Sequence, residues 1–124
     1  MQVIATDKAP AAIGPYSQAV AAGNLLFCSG QIALNPATGE MVSGTVAEEA
    51  EQVMQNLQGV LAAAGTDFNR VLKTTIYLTD MADFPVVNQV YGSYFPQTKP
   101  ARATVGVAAL PRGARVEVEA IAVI

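Results

Sequence analysis

The stretch from Thr45 to Gly65 carries the strongest helical signal in the chain, and it limits what the rest can be. Val46, Ala50, Val53, Met54, Leu57, Leu61 and Ala64 recur at helical spacing, while Gln52, Gln55 and Gln58 take the other side. Thr45-Val46-Ala47-Glu48 has the spacing of a capping box. Glu48, Glu49 and Glu51 read as charges that suit the positive end of a helix dipole, and Gly65 supplies a stop. A helix with one apolar stripe must bury it against a second layer. The flanking sequence supplies that layer as strands.

Three strands are expected before the helix: Val3 to Ala5, Gln18 to Ala22 and Leu25 to Gln31, the last two joined by a tight Gly23-Asn24 turn. Asn35-Pro36-Ala37-Thr38-Gly39 is a turn cluster. After the helix, Val71 to Thr79 alternates, with Leu72, Thr74, Ile76 and Leu78 on one face and Lys73, Thr75, Tyr77 and Thr79 on the other. Asp83 is placed to cap a second helix with a Phe84, Val87, Tyr91, Tyr94 stripe, which Pro96 and Pro100 end. Two strands, Ala101 to Ala109 and Arg115 to Ile124, flank the turn-forming Leu110-Pro111-Arg112-Gly113 and are expected to pair as a hairpin. The order is βββαβαββ, an α+β fold in which residues 1–124 form a single domain.

Two helices cover only one face of such a sheet. In the last strand Val116, Val118, Ala120 and Ala122 form one apolar side, and the other begins Arg115, Glu117, Glu119 but finishes Ile121, Val123. With 52% hydrophobic and only 14% charged residues to solvate a second face, a homo-oligomer is expected.

Net charge is -3 and the chain contains no histidine. The first makes nucleic acid and anionic membranes poor partners; the second removes imidazole bases, triads and histidine metal sites, and no metal site is expected. The single Cys28 has no partner for an internal disulfide, residues 9–39 are uncharged but broken by Pro10, Gly14, Pro15 and Gly23, and the chain opens without a basic-then-apolar leader. A cytoplasmic protein is expected. Proton transfer then falls to carboxylates, Tyr and Lys. Arg102 lies in an apolar run, and its planar fork suits a carboxylate. In a hairpin centred between Pro111 and Arg112, Glu117 would pair with Gly106 and share a face with Arg102 and Thr104, ~13 Å along at strand rise. Thr104 and Gly106 would then floor a pocket. Without further information both charges read as solvated strand residues, Cys28 as a small buried hydrophobe, and Asn88 as helix surface.

Several motifs occur together and in order: Ile13-Gly14-Pro15-Tyr16-Ser17-Gln18, Ser29-Gly30-Gln31-Ile32, Asn35-Pro36-Ala37-Thr38-Gly39, Lys73-Thr74-Thr75, Asp83-Phe84 with Asn88, Pro100-Ala101-Arg102-Ala103-Thr104-Val105 and Val116-Glu117-Val118-Glu119-Ala120. On these the chain resembles, end to end, the reactive intermediate deaminase A family. The resemblance implies a chorismate-mutase-like fold, a homotrimer whose sheets form a central barrel, and small-molecule clefts between subunits. It also implies hydrolysis of 2-iminobutanoate and 2-iminopropanoate to 2-oxo acids and ammonia without a cofactor. Arg102 resembles the arginine that holds the substrate carboxylate, and Glu117 the glutamate that orients or activates water. Tyr16, Ser29, Gly30, Phe84, Asn88 and Thr104 resemble pocket residues. Some members have cysteine where this chain has Thr104, so a thiol there is not essential. Two other activities fit the resemblance less well: a non-catalytic trimer that binds 2-oxo acids, which would gain nothing from a second negative group at Glu117, and an RNA-cleaving translation inhibitor, which the acidic balance and absent histidine disfavour.

Overall fold

The computed structural model describes residues Met1–Ile124. Its elements are β1 (Gln2–Ile4), β2 (Ala19–Ala22), β3 (Leu25–Gln31), α1 (Val46–Ala63), β4 (Val71–Leu78), α2 (Phe84–Ser93), β5 (Ala101–Gly106) and β6 (Val116–Val123). They follow the expected order, with ends displaced by up to three residues. No helix is long and apolar enough to cross a membrane.

The capping box forms: the Glu48 amide donates to Thr45 Oγ1 at 3.2 Å, and the Thr45 amide donates to Glu48 Oε1 at 3.3 Å. Val53, Leu57, Val60 and Leu61 are buried along the helix, each contributing about 1.5–3 kcal/mol by leaving water. Gly59 sits mid-helix because a Cβ there would lie 2.4 Å from the Lys8 carbonyl oxygen. Close packing of the N-terminal segment thus outweighs the ~1 kcal/mol that glycine costs a helix. Both helices lie on one side of the sheet and share one apolar cluster with the inner residues of β3, β4 and β6.

Three buried polar side chains stitch loops to this core. The Gln18 amide accepts from the Thr6 amide at 2.7 Å and donates to the carbonyls of Thr6, Ala9 and Pro10. Asn56 donates to the carbonyls of Ile32 and Leu34 at 3.1 and 2.8 Å. Glu49 is buried and accepts from the Arg115 amide at 2.7 Å and from Arg115 Nε at 2.6 Å. It is therefore a paired core residue, not only a helix-terminus charge.

The sheet order is β1-β2-β3-β6-β4-β5, which corrects the expected C-terminal hairpin. Strand β5 pairs in parallel with β4, and β6 inserts antiparallel between β3 and β4. The parallel pair needs the α2 crossover, after which the last strand satisfies backbone groups on both of its edges at once. Glu117 consequently aligns with Tyr77, and Tyr77 with Val105, while Gly106 aligns with Leu78 and Val116. Arg102 aligns with Thr74, whose hydroxyl is hydrogen-bonded to Tyr91 of α2 at 2.7 Å. Arg102 thus lies on the helix-covered side and Glu117 on the open side; the shared face expected for them is wrong.

Two smaller expectations also fail. A β-bulge between Val71 and Lys73 turns Leu72 outward and buries Val71 in its place. Asp83 is already helical in backbone and makes no capping bond; Asp80 instead caps the short turn before α2, accepting from the Ala82 amide at 2.9 Å. The open face carries Val3, Phe27 and Val105, which are 55%, 45% and 41% exposed, together with half-buried Leu25, Ile121 and Val123. This is the apolar second face anticipated from the last strand.

Candidate active site

The predicted site residues separate into two groups on one chain. The first surrounds a cavity of about 550 Å³ lined by Tyr16, Ser29, Gly30 and Glu117, with Gln18 and Arg112 among its other walls. The second lies beside a cavity of about 420 Å³ lined by Asn88, Tyr91, Lys99 and Arg102.

In the first group, β3 and β6 change register between Cys28 and Gln31, so Ser29 and Gly30 form an irregular step opposite Glu119. Ser29 Oγ donates to the Ser17 carbonyl at 2.5 Å and its amide to the Gln18 carbonyl at 3.0 Å, which ties the Tyr16 loop to the sheet. Gly30 provides the seat for Glu117. A Cβ added there would stand 2.0 Å from Glu117 Oε2 and 2.8 Å from its Cδ, so the carboxyl lies directly over the glycine backbone. Burial first, and then the neighbouring Glu119 carboxylate, push the Glu117 carboxyl above its ordinary value.

In the second group, Arg102 Nη1 donates to Asn88 Oδ1 at 2.6 Å. The guanidinium carbon lies 5.4 Å from the centre of the Phe84 ring and 5.0 Å from that of Tyr91. Helix α2 therefore steers Arg102 by cation–π contact and one side-chain oxygen, leaving most of its donors free. Asn88 is not plain helix surface. Thr104 sits two residues along β5, half-buried and lining neither cavity, and Met81 comes within 3.1 Å of where a Gly106 Cβ would stand. Met81 thus covers the Gly106 half of the pocket floor expected from Thr104 and Gly106. Cys28 is buried as expected, and burial pushes its thiol up to about 12, which makes it unreactive.

Sequence reasoning missed Tyr91, Gln18, Arg112 and the Glu49–Arg115 pair. Gln18 and Asn56 carried a usable signal, a polar residue at an otherwise apolar position. The Glu49–Arg115 pair, 66 residues apart in the chain, carried none.

Residues 6–124 match the protein family described as Endoribonuclease L-PSP. A mouse protein named 2-iminobutanoate/2-iminopropanoate deaminase is 58% identical over 122 residues, spanning 98% of this chain and 90% of that one. Among solved structures, that of RidA from an Antarctic Psychrobacter superimposes with TM-score 0.95 at 48% identity over the full length of both chains. Escherichia coli TdcF with bound serine superimposes with TM-score 0.96 at 40% identity over 100% of this chain and 99% of that one. A match over nearly every residue, in sequence and in fold, places this chain in the Endoribonuclease L-PSP family.

Proposed function

We propose that the chain hydrolyses 2-iminobutanoate and 2-iminopropanoate to the 2-oxo acids and ammonia, with residues 1–124 acting as one domain in the cytoplasm. The observation that carries this reading is the Glu117 carboxyl, seated on Gly30 in a cavity, half-buried and raised above its ordinary value by that burial. The curated relative named for this activity supports it. Arg102 pairs with the substrate carboxylate. Glu117 takes a proton from water as the oxygen adds to the imine carbon and passes it to the nitrogen, giving a carbinolamine; the hydroxyl proton then moves by way of Glu117 to the nitrogen as the C–N bond breaks, which leaves the carbonyl of the 2-oxo acid and releases ammonia. An imine carbon is already electrophilic, so positioning and one base suffice.

Arg102 and Glu117 stand on opposite sides of their own sheet, so a substrate that meets both lies between two copies. Arg102, Asn88 and Phe84 come from one copy, and Glu117, Gly30, Ser29 and Tyr16 from its neighbour, with Thr104 a secondary contributor behind Arg102. The apolar open face supports the homotrimer that this requires. Light scattering should give about three times 12.9 kDa. Ile121→Asp, which places an unpaired charge on that face, should lower the mass toward that of a monomer and abolish activity together. A monomeric, active wild type would overturn the shared site.

The activity test mixes the protein with a threonine dehydratase and threonine, follows 2-oxobutanoate release, and traps remaining imine with semicarbazide. Faster release and less trapped imine are expected; equal traces with and without the protein would refute the reading. Gly30→Ala should retain the fold, since the clash is with the end of a side chain, yet lower the rate roughly tenfold to 10²-fold by displacing the Glu117 carboxyl. An unchanged rate with an unchanged Tm would remove Gly30 from that role.

A further inference from the structure

Arg112 is the only residue other than glycine with a positive φ, at φ 60 and ψ 24. A left-handed backbone costs free energy at most residues with a Cβ; glycine avoids that cost and asparagine offsets part of it by local hydrogen bonding. The next residue, Gly113, already serves the turn with φ 70. Packing does not account for an arginine here, because the side chain is exposed and its one hydrogen bond, from Nη2 to the Gly39 carbonyl, is 3.5 Å long. Its position does account for it. Arg112 is the one cation lining the cavity that holds Glu117, Tyr16 and Ser29.

We propose that Arg112 determines specificity by pairing with a second, distal carboxylate, so that the site also takes imino acids derived from dicarboxylic amino acids. This rests on the hydrolytic reading above. The chemistry is the same: water adds to the imine carbon, the C–N bond breaks and ammonia leaves, while the distal carboxylate is unchanged. Glu117 repels any carboxylate in its cavity except one held beside a cation, so Arg112 also decides which end of a long ligand faces it. The backbone strain is then tolerated for function rather than for folding.

The test titrates 2-oxoglutarate and 2-oxobutanoate into wild type, Arg112→Ala and Arg112→Gly by calorimetry. Affinity for 2-oxoglutarate should fall at least tenfold in both variants, and that for 2-oxobutanoate by no more than about threefold. Arg112→Gly removes the strain along with the side chain, so its Tm should equal or exceed that of wild type, separating lost recognition from lost folding. Equal losses for both acids, no loss for either, or a wild type that does not bind 2-oxoglutarate would each overturn the proposal. Failure of the wild type to hydrolyse 2-iminobutanoate in the dehydratase assay would instead overturn the hydrolytic reading, because the binding ratio is measured without turnover.

Discussion

Glu117→Gln should lower the rate of imine hydrolysis roughly 10²-fold or more while leaving 2-oxobutanoate binding intact or tighter. Glutamine keeps the size and reach of the side chain over Gly30 but cannot accept the proton of the attacking water, and a negative charge leaves the cavity. Semicarbazide trapping measures the first effect and calorimetry the second. Full activity in this variant would rule out the water-activating role and favour a protein that only binds 2-oxo acids. The carboxyl is raised in the folded chain by burial and by Glu119, so activity should fall as pH drops through that raised value. Glu119→Gln should move this acid limb to lower pH. Stability runs the other way. A carboxyl raised by folding contributes stability below its ordinary value and loses it as pH rises through the raised one, so ionised Glu117 is a cost at neutral pH. Glu117→Gln should accordingly raise Tm there, the sign expected of a residue kept for chemistry.

Arg102→Ala should weaken 2-oxobutanoate binding and imine turnover alike, by tenfold or more, because each charge-assisted hydrogen bond to a carboxylate is worth about 1.5–3 kcal/mol. Arg102→Lys should rescue little. The guanidinium lies over two rings and donates to Asn88 while keeping its fork free, and an ammonium reproduces neither the stacking plane nor the paired donors. The folding cost should be small for both variants, since Arg102 is exposed on an edge strand. If Arg102→Lys binds 2-oxobutanoate as tightly as wild type, simple charge attraction replaces bidentate recognition.

Helix α1 was legible from Thr45, Glu48 and the apolar spacing through Leu61, and the element order βββαβαββ was legible from alternation and turn residues. Those signals are written in contiguous residues, because capping and amphipathic periodicity act within a turn or two of chain. The motifs around Tyr16, Ser29-Gly30, Arg102 and Glu117 were readable in the same way, and so was the apolar far end of the last strand. What decided the site was which strand edge took β6. That choice is a competition among distant backbone edges, and local alternation is the same whichever edge wins. By entering between β3 and β4, β6 set Glu117 over Gly30 on the open face and left β5, with Arg102, at the edge beneath α2. The sequence alone determined which groups could carry the chemistry. Only the tertiary structure decided that they stand on opposite sides of one sheet, because strand pairing, unlike helix periodicity, is settled between residues far apart in the chain.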